Sequence, residues 1–102
     1  MGQDKIRLID ELKRFKKENK ISKIILFGSR VKDTFTRYSD VDLILISPKF
    51  KNVKTYKRAS PYRLKWKLDF PVDLLCYTPE EFDKRKNEPT IVREALKRGI
   101  EI

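Results

Sequence analysis

Two carboxylates one residue apart, Asp40 and Asp42, open the apolar run DVDLILI, and a third, Asp73, sits inside FPVDLLCY. Successive side chains on a strand alternate faces, so Asp40 and Asp42 point to one side while Val41 and Leu43 point to the other. Two carboxylates held within a few ångströms repel each other and raise one carboxyl pKa, a conflict that a divalent cation removes. Hard oxygen ligands of this kind suit Mg²⁺, which keeps several waters and is completed by substrate phosphates. If the second run pairs with the first, Asp73 lies across from the pair, at about 4.5–5.5 Å between facing Cβ atoms. Three carboxylates on one sheet face then form a platform for two ions. Each piece also has a plainer reading: Asp-x-Asp suits a solvated strand end, and Asp73 suits the solvent side of an edge strand.

The chain has three glycines, and one of them, Gly28, directly follows the apolar run KIILF. A glycine lets backbone approach a phosphate, and a helical turn after Ser29 offers free N–H groups and a positive dipole end. The Ser29 hydroxyl can donate to the same phosphate. An ordinary turn would use the same two residues, so the weight lies on the conjunction of Gly-Ser, Asp-x-Asp and the third Asp. Histidine is absent, which excludes His-based triads, His general bases and His metal ligands. Cys76, the one cysteine, stands between Leu75 and Tyr77 and reads as a buried small hydrophobe. It permits no intramolecular disulfide, in keeping with a reducing cytoplasm.

Elements that would position these residues follow from periodicity. From Asp4 to Lys20 the apolar residues Ile6, Ile9, Leu12 and Phe15, with Leu8 beside them, recur at helical spacing. Ser22 to Phe27 and Asp40 to Ser47 read as buried strands, ended by Gly28 and Pro48, and Phe70 to Tyr77 reads as a third. Thr78-Pro79-Glu80-Glu81 opens a helix with a cap, a proline at the first position and acids in the first turn. A further helix runs from about Pro89 to Arg98 and stops at Gly99, and Ile100-Glu101-Ile102 alternates as a short edge strand.

Lys49 to Lys67 holds eight Lys or Arg, no acid, and the aromatics Phe50, Tyr56, Tyr62 and Trp66. The segment reads as helical, with Ser60-Pro61 either a second start or a kink. Val53, Tyr56, Leu64 and Trp66 are expected to cover the sheet while the lysines face water. The rival reading makes this stretch an electrostatic and stacking surface for RNA.

At 102 residues the chain has room for one compact domain, 1–102, that buries about 65% of its unfolded surface. Apolar and charged residues each make up 39%, which excludes both a disordered and a membrane-embedded class. The net charge of +10 suits a polyanionic partner, or equally a composition tuned by a hot growth environment. The N-terminal stretch lacks the continuous apolar run of a signal peptide and no run approaches a membrane span, so a cytoplasmic protein with no membrane contact is expected.

Phe27-Gly28-Ser29, then Ser39-Asp40-Val41-Asp42-Leu43, then Val72-Asp73-Leu74 resembles the polymerase-β-type nucleotidyltransferase superfamily, and in size its minimal nucleotidyltransferases. The resemblance implies a single α/β (α+β) domain, a small mixed sheet of three to four strands with helices packed against it. It implies that Gly28 and Ser29 hold the triphosphate of ATP or another nucleotide. Asp40 and Asp42 would bind two Mg²⁺ and Asp73 would complete the metal on the acceptor side, the three forming the catalytic set. The activity implied is transfer of a nucleoside monophosphate, AMP from ATP, to a hydroxyl. Minimal members of the family commonly work as the antitoxin beside a small helical HEPN protein, whose tyrosine can be the acceptor. Where family members continue with Ala-Arg-Gly after the serine-led turn, this chain has Val31-Lys32-Asp33, and that departure motivates an alternative: a catalytically weak, antitoxin-type binding protein of the same fold.

Overall fold

The computed structural model describes residues 3–27, 41–66, 72–89, 93 and 97–102. The first helix, α1 (Gln3–Glu18), buries Leu8, Leu12 and Phe15. These are spaced four and three apart, so they fall on one stripe, and Asn19 continues it just beyond the helix end. Ile6, expected on this stripe, is instead 46% exposed, because Leu8 holds the core-facing phase and Ile6 lies about half a turn away from it. The helix ends in a Schellman arrangement: the Ile21 N–H donates to the Lys16 carbonyl at 3.0 Å and the Lys20 N–H to the Lys17 carbonyl at 3.3 Å. Lys20 takes the left-handed conformation this requires, φ 54°, where glycine is the usual residue.

Four strands form one sheet in the order β3-β2-β1-β4, where β1 is Lys23–Phe27, β2 Val41–Ile46, β3 Val72–Tyr77 and β4 Ile100–Glu101. Strand β2 runs antiparallel to β1 and parallel to β3, and β4 is antiparallel to β1. The sheet is therefore mixed and the architecture α+β, as the periodicities imply. Strands β1 and β2 are near-continuous apolar runs because both of their faces are covered. On one face, Ile24, Leu26, Val41, Leu43, Leu45, Leu74 and Cys76 pack with Leu8, Leu12 and Phe15 of α1. On the other, Ile25, Ile44 and Ile46 pack with Phe82.

The crossover between the parallel strands carries a 3₁₀ turn (Pro48–Phe50) and two short helices, α2 (Thr55–Arg58) and α3 (Ser60–Leu64). Ser60-Pro61 is thus a second helix start and not a kink, although Ala59, and not Ser60, occupies the cap position. Phe50, Tyr62 and Trp66 seat this crossover on the α1 side. The Phe15 ring stands edge-on to Tyr62 and Trp66, with centroids 6.4 and 5.9 Å apart, and Phe50 is edge-on to Tyr62 at 5.5 Å. The expectation that Val53, Tyr56 and Leu64 also cover the sheet is not met. They are 37%, 73% and 88% exposed: Val53 lies in the turn before α2, and for Tyr56 and Leu64 helices of four and five residues are too short to present all their apolar positions to one plane.

After β3, α4 (Pro79–Arg85) opens with the expected cap, elaborated into a reciprocal pair. The Glu81 N–H donates to Thr78 Oγ1 at 3.2 Å and the Thr78 N–H donates to Glu81 Oε1 at 2.8 Å. The helix expected from Pro89 to Arg98 lies largely outside the described residues. Beyond it, the expected edge strand pairs with β1 through Leu26↔Ile100, and the Ile102 N–H reaches the Ile24 carbonyl at 2.8 Å. Among the described residues, no helix is long and apolar enough to cross a membrane.

Candidate functional site

Asp42 and Asp73 are register partners on the parallel strands β2 and β3. Neighbouring strands lie about 4.8 Å apart, so the two carboxylates start from adjacent positions and share a face by the alternation of the pleat. That face is the one carrying Ile44, Ile46, Leu75 and Tyr77, and on the other side of Asp42 its register partner is Phe27, the last residue of β1. A row therefore runs Phe27, Asp42, Asp73 across three strands. Asp42 is half-buried and Asp73 exposed, so the row opens to solvent toward β3.

Rigidity comes from the strand that bears Asp42. It is bonded on both sides, to β1 and β3, and every other residue in it is fully or nearly fully buried. A carboxylate anchored in this way keeps its place without substrate, as a geometrically demanding ion requires. Sequence reasoning placed Asp73 opposite the Asp-x-Asp strand, and the register bears this out, in a parallel pair. Gly28, Ser29 and Asp40 lie outside the described residues. Among the described residues, no cluster of three metal-type side chains occurs, so the described part of the site is a carboxylate pair. A pair of hard oxygen donors beside open solvent fits Mg²⁺, which takes one or two protein carboxylates and fills its shell with water and phosphate oxygens.

Arg58 was not singled out by sequence reasoning, yet it locks the edge strand that carries Asp73, at Cys76 three residues farther along. It is buried, its Nε donates to the Val53 carbonyl at 2.8 Å, and Nη1 donates to the Cys76 carbonyl at 3.1 Å. The guanidinium also forks onto Glu81, with Nη1 to Oε1 at 2.6 Å and Nη2 to Oε2 at 3.3 Å. The hydrogen bond from Arg58, joined by those from Thr78, holds the Glu81 carboxyl below its ordinary range. One side chain thus ties α2, the outer edge of β3 and the start of α4 together. Its signal was an arginine in a lysine-dominated segment, where a planar fork does what an ammonium cannot. Cys76 is buried as expected, and burial pushes its thiol up to about 11, which removes it from nucleophilic chemistry near neutral pH.

A family profile described as "Nucleotidyltransferase domain" matches residues 7–102, nearly the whole chain. In three dimensions the chain is similar to a crystal structure from Sulfolobus solfataricus whose protein carries a nucleotidyltransferase assignment. The two share 20% identity and a TM-score of 0.59, over 78% of this chain and 75% of the other. At that identity the likeness speaks for the fold. Among curated proteins, none matches the chain.

Proposed function

Because the chain belongs to the nucleotidyltransferase domain family, we propose that it transfers a nucleoside monophosphate, AMP from ATP, to a hydroxyl on a partner protein. The observation that carries this reading is the register pairing of Asp42 with Asp73 on one face of two parallel strands. Asp40 and Asp42 would hold two Mg²⁺, with Asp73 on the acceptor side, while Gly28 and Ser29 would receive the triphosphate. Bound there, Mg²⁺ supplies Lewis acidity that lowers the pKa of an acceptor hydroxyl and steadies phosphate charge. The carboxylates orient the reactants: the acceptor hydroxyl gives its proton to water, its oxygen bonds the α-phosphorus as the bond from that phosphorus to the α–β bridging oxygen breaks, and pyrophosphate leaves in line. The acceptor is a tyrosine of a small helical HEPN-type protein, the toxin to this antitoxin, in a reducing cytoplasm where Cys76 stays a thiol.

Calorimetric titration of ATP with Mg²⁺ into the wild type and Asp42→Ala tests the site, and labelling of a co-expressed partner with α-phosphate-labelled ATP tests transfer. Metal-dependent binding and labelling, both lost in Asp42→Ala with an unchanged circular dichroism spectrum, are expected. Undiminished labelling in that variant refutes the carboxylate mechanism. A stable complex that neutralises the partner without any nucleotide binding favours the binding-protein alternative motivated by Val31-Lys32-Asp33.

A further inference from the structure

The layer built from α1 and the crossover packs on the sheet face opposite to that of Asp42 and Asp73, so its charge does not serve the carboxylate row. Between Pro48 and Trp66 this layer has seven cations and no acid. Only Arg58 is buried; Lys49, Lys51, Lys54, Lys57, Arg63 and Lys65 are exposed. The Lys49 ammonium also donates to the Asn19 carbonyl at the end of α1, so the basic surface continues onto the exposed Lys17 and Lys20.

A solvated helix face accounts for lysines. It does not account for Tyr56, 73% exposed, or Leu64, 88% exposed, beside them. Both were expected to cover the sheet and neither does, so the core gives no reason for a ring and a branched aliphatic chain at these positions. The Lys57 ammonium lies 5.9 Å from the Tyr56 ring centroid, which places a cation beside an accessible aromatic face. A single-stranded nucleic acid uses both features: its phosphates meet the ammonium and guanidinium groups, and a base stacks on the ring. An acidic protein face would use the charges but has no need of the ring.

We propose that the exposed surface of α2 and α3, which carries Tyr56 with Lys57 at its ring and also bears Lys54 and Arg63, binds single-stranded nucleic acid. Fluorescence anisotropy of a labelled oligouridylate of about twelve nucleotides, in EDTA so that no metal site contributes, tests it. With about five phosphates neutralised at about −0.7 each, affinity should fall roughly a hundredfold between about 50 and 200 mM salt. Tyr56→Ala should weaken binding roughly tenfold at fixed salt, Tyr56→Trp should restore it, and Lys54→Glu with Lys57→Glu should abolish it. All three positions are exposed, so the fold is expected to survive, and circular dichroism checks that it does. No binding at low salt overturns the proposal. So does binding that ignores Tyr56→Ala and is displaced equally by polyglutamate, an outcome that marks an acidic protein as the partner.

Discussion

Replacing Arg58 with methionine keeps most of the buried stem and deletes the guanidinium. Three contacts go with it: the hydrogen bond to the Val53 carbonyl, the hydrogen bond to the Cys76 carbonyl, and the fork onto Glu81. A hydrogen bond from a charged donor contributes about 1.5–3 kcal/mol, and losing a donor to a buried carbonyl adds the cost of leaving that oxygen unpaired. Against this stands the relief of no longer burying a charge, worth a few kcal/mol in the opposite direction. The Glu81 side chain is 40% exposed, so water screens the ion pair and it contributes only about 1 kcal/mol. The balance is a loss of about 2–3 kcal/mol, or about 10–20 °C in Tm for a domain of this size. Thermal and urea denaturation of Arg58→Met, Glu81→Gln and the double variant give both the loss and the coupling between the two residues. Since Glu81 titrates below its ordinary value, its contribution is present above about pH 4.3, its unfolded value, and is lost as pH falls through the folded pKa. That acid-side loss should shrink in Arg58→Met. A variant that melts within about 3 °C of wild type would refute the argument that this arginine locks the edge of the sheet.

Lys20→Gly should raise stability by about 0.5–1 kcal/mol by relieving the left-handed backbone, whereas Lys20→Val should lower it, read by chemical denaturation. Thr78→Ala removes a cap that accepts from the Glu81 N–H and should cost about 1 kcal/mol, measured the same way. Cys76 titrates near 11 when folded and about 8.5 when unfolded, so its contribution is constant through neutral pH and falls as pH rises between those values. Disulfide-exchange labelling near pH 8 should accordingly be slow in the native protein and rapid in urea. Equal rates in both states would place the thiol at the surface.

Much of the fold was legible because each of the first three strands is a short apolar run with a clear stop and the cap at Thr78 has a local signature. Local chemistry fixes such features wherever the chain goes. The candidate pair was legible too, since a carboxylate inside an apolar run has few comfortable places to be. What periodicity left open was partnership. The spacing of Ile6 to Phe15 allowed two helical phases, and only packing against Ile24, Leu26 and Leu43 selected the one with Leu8 inside. The hydrophobicity of Val53, Tyr56 and Leu64 suggested burial, but the turn before α2 leaves Val53 exposed and the two short helices turn Tyr56 and Leu64 outward. Arg58 was one cation in a basic run until the parallel crossover brought α2 beside Cys76 and Glu81.

By itself, the sequence determined which residue types can do chemistry here: carboxylates and hydroxyls, with no histidine and with a thiol flanked by apolar neighbours. It determined the positions and phases of the first three strands, since both follow from interactions between residues close along the chain, while Ser22 and Ser47, read as strand residues, lie outside β1 and β2. Tertiary structure alone decided that Asp42 faces Asp73 in a parallel register, although thirty residues of sequence separate them and register depends on both strands at once. It alone decided that the basic surface lies on the opposite face of the sheet from those carboxylates, because strand alternation and the path of the crossover act together only when the chain is folded.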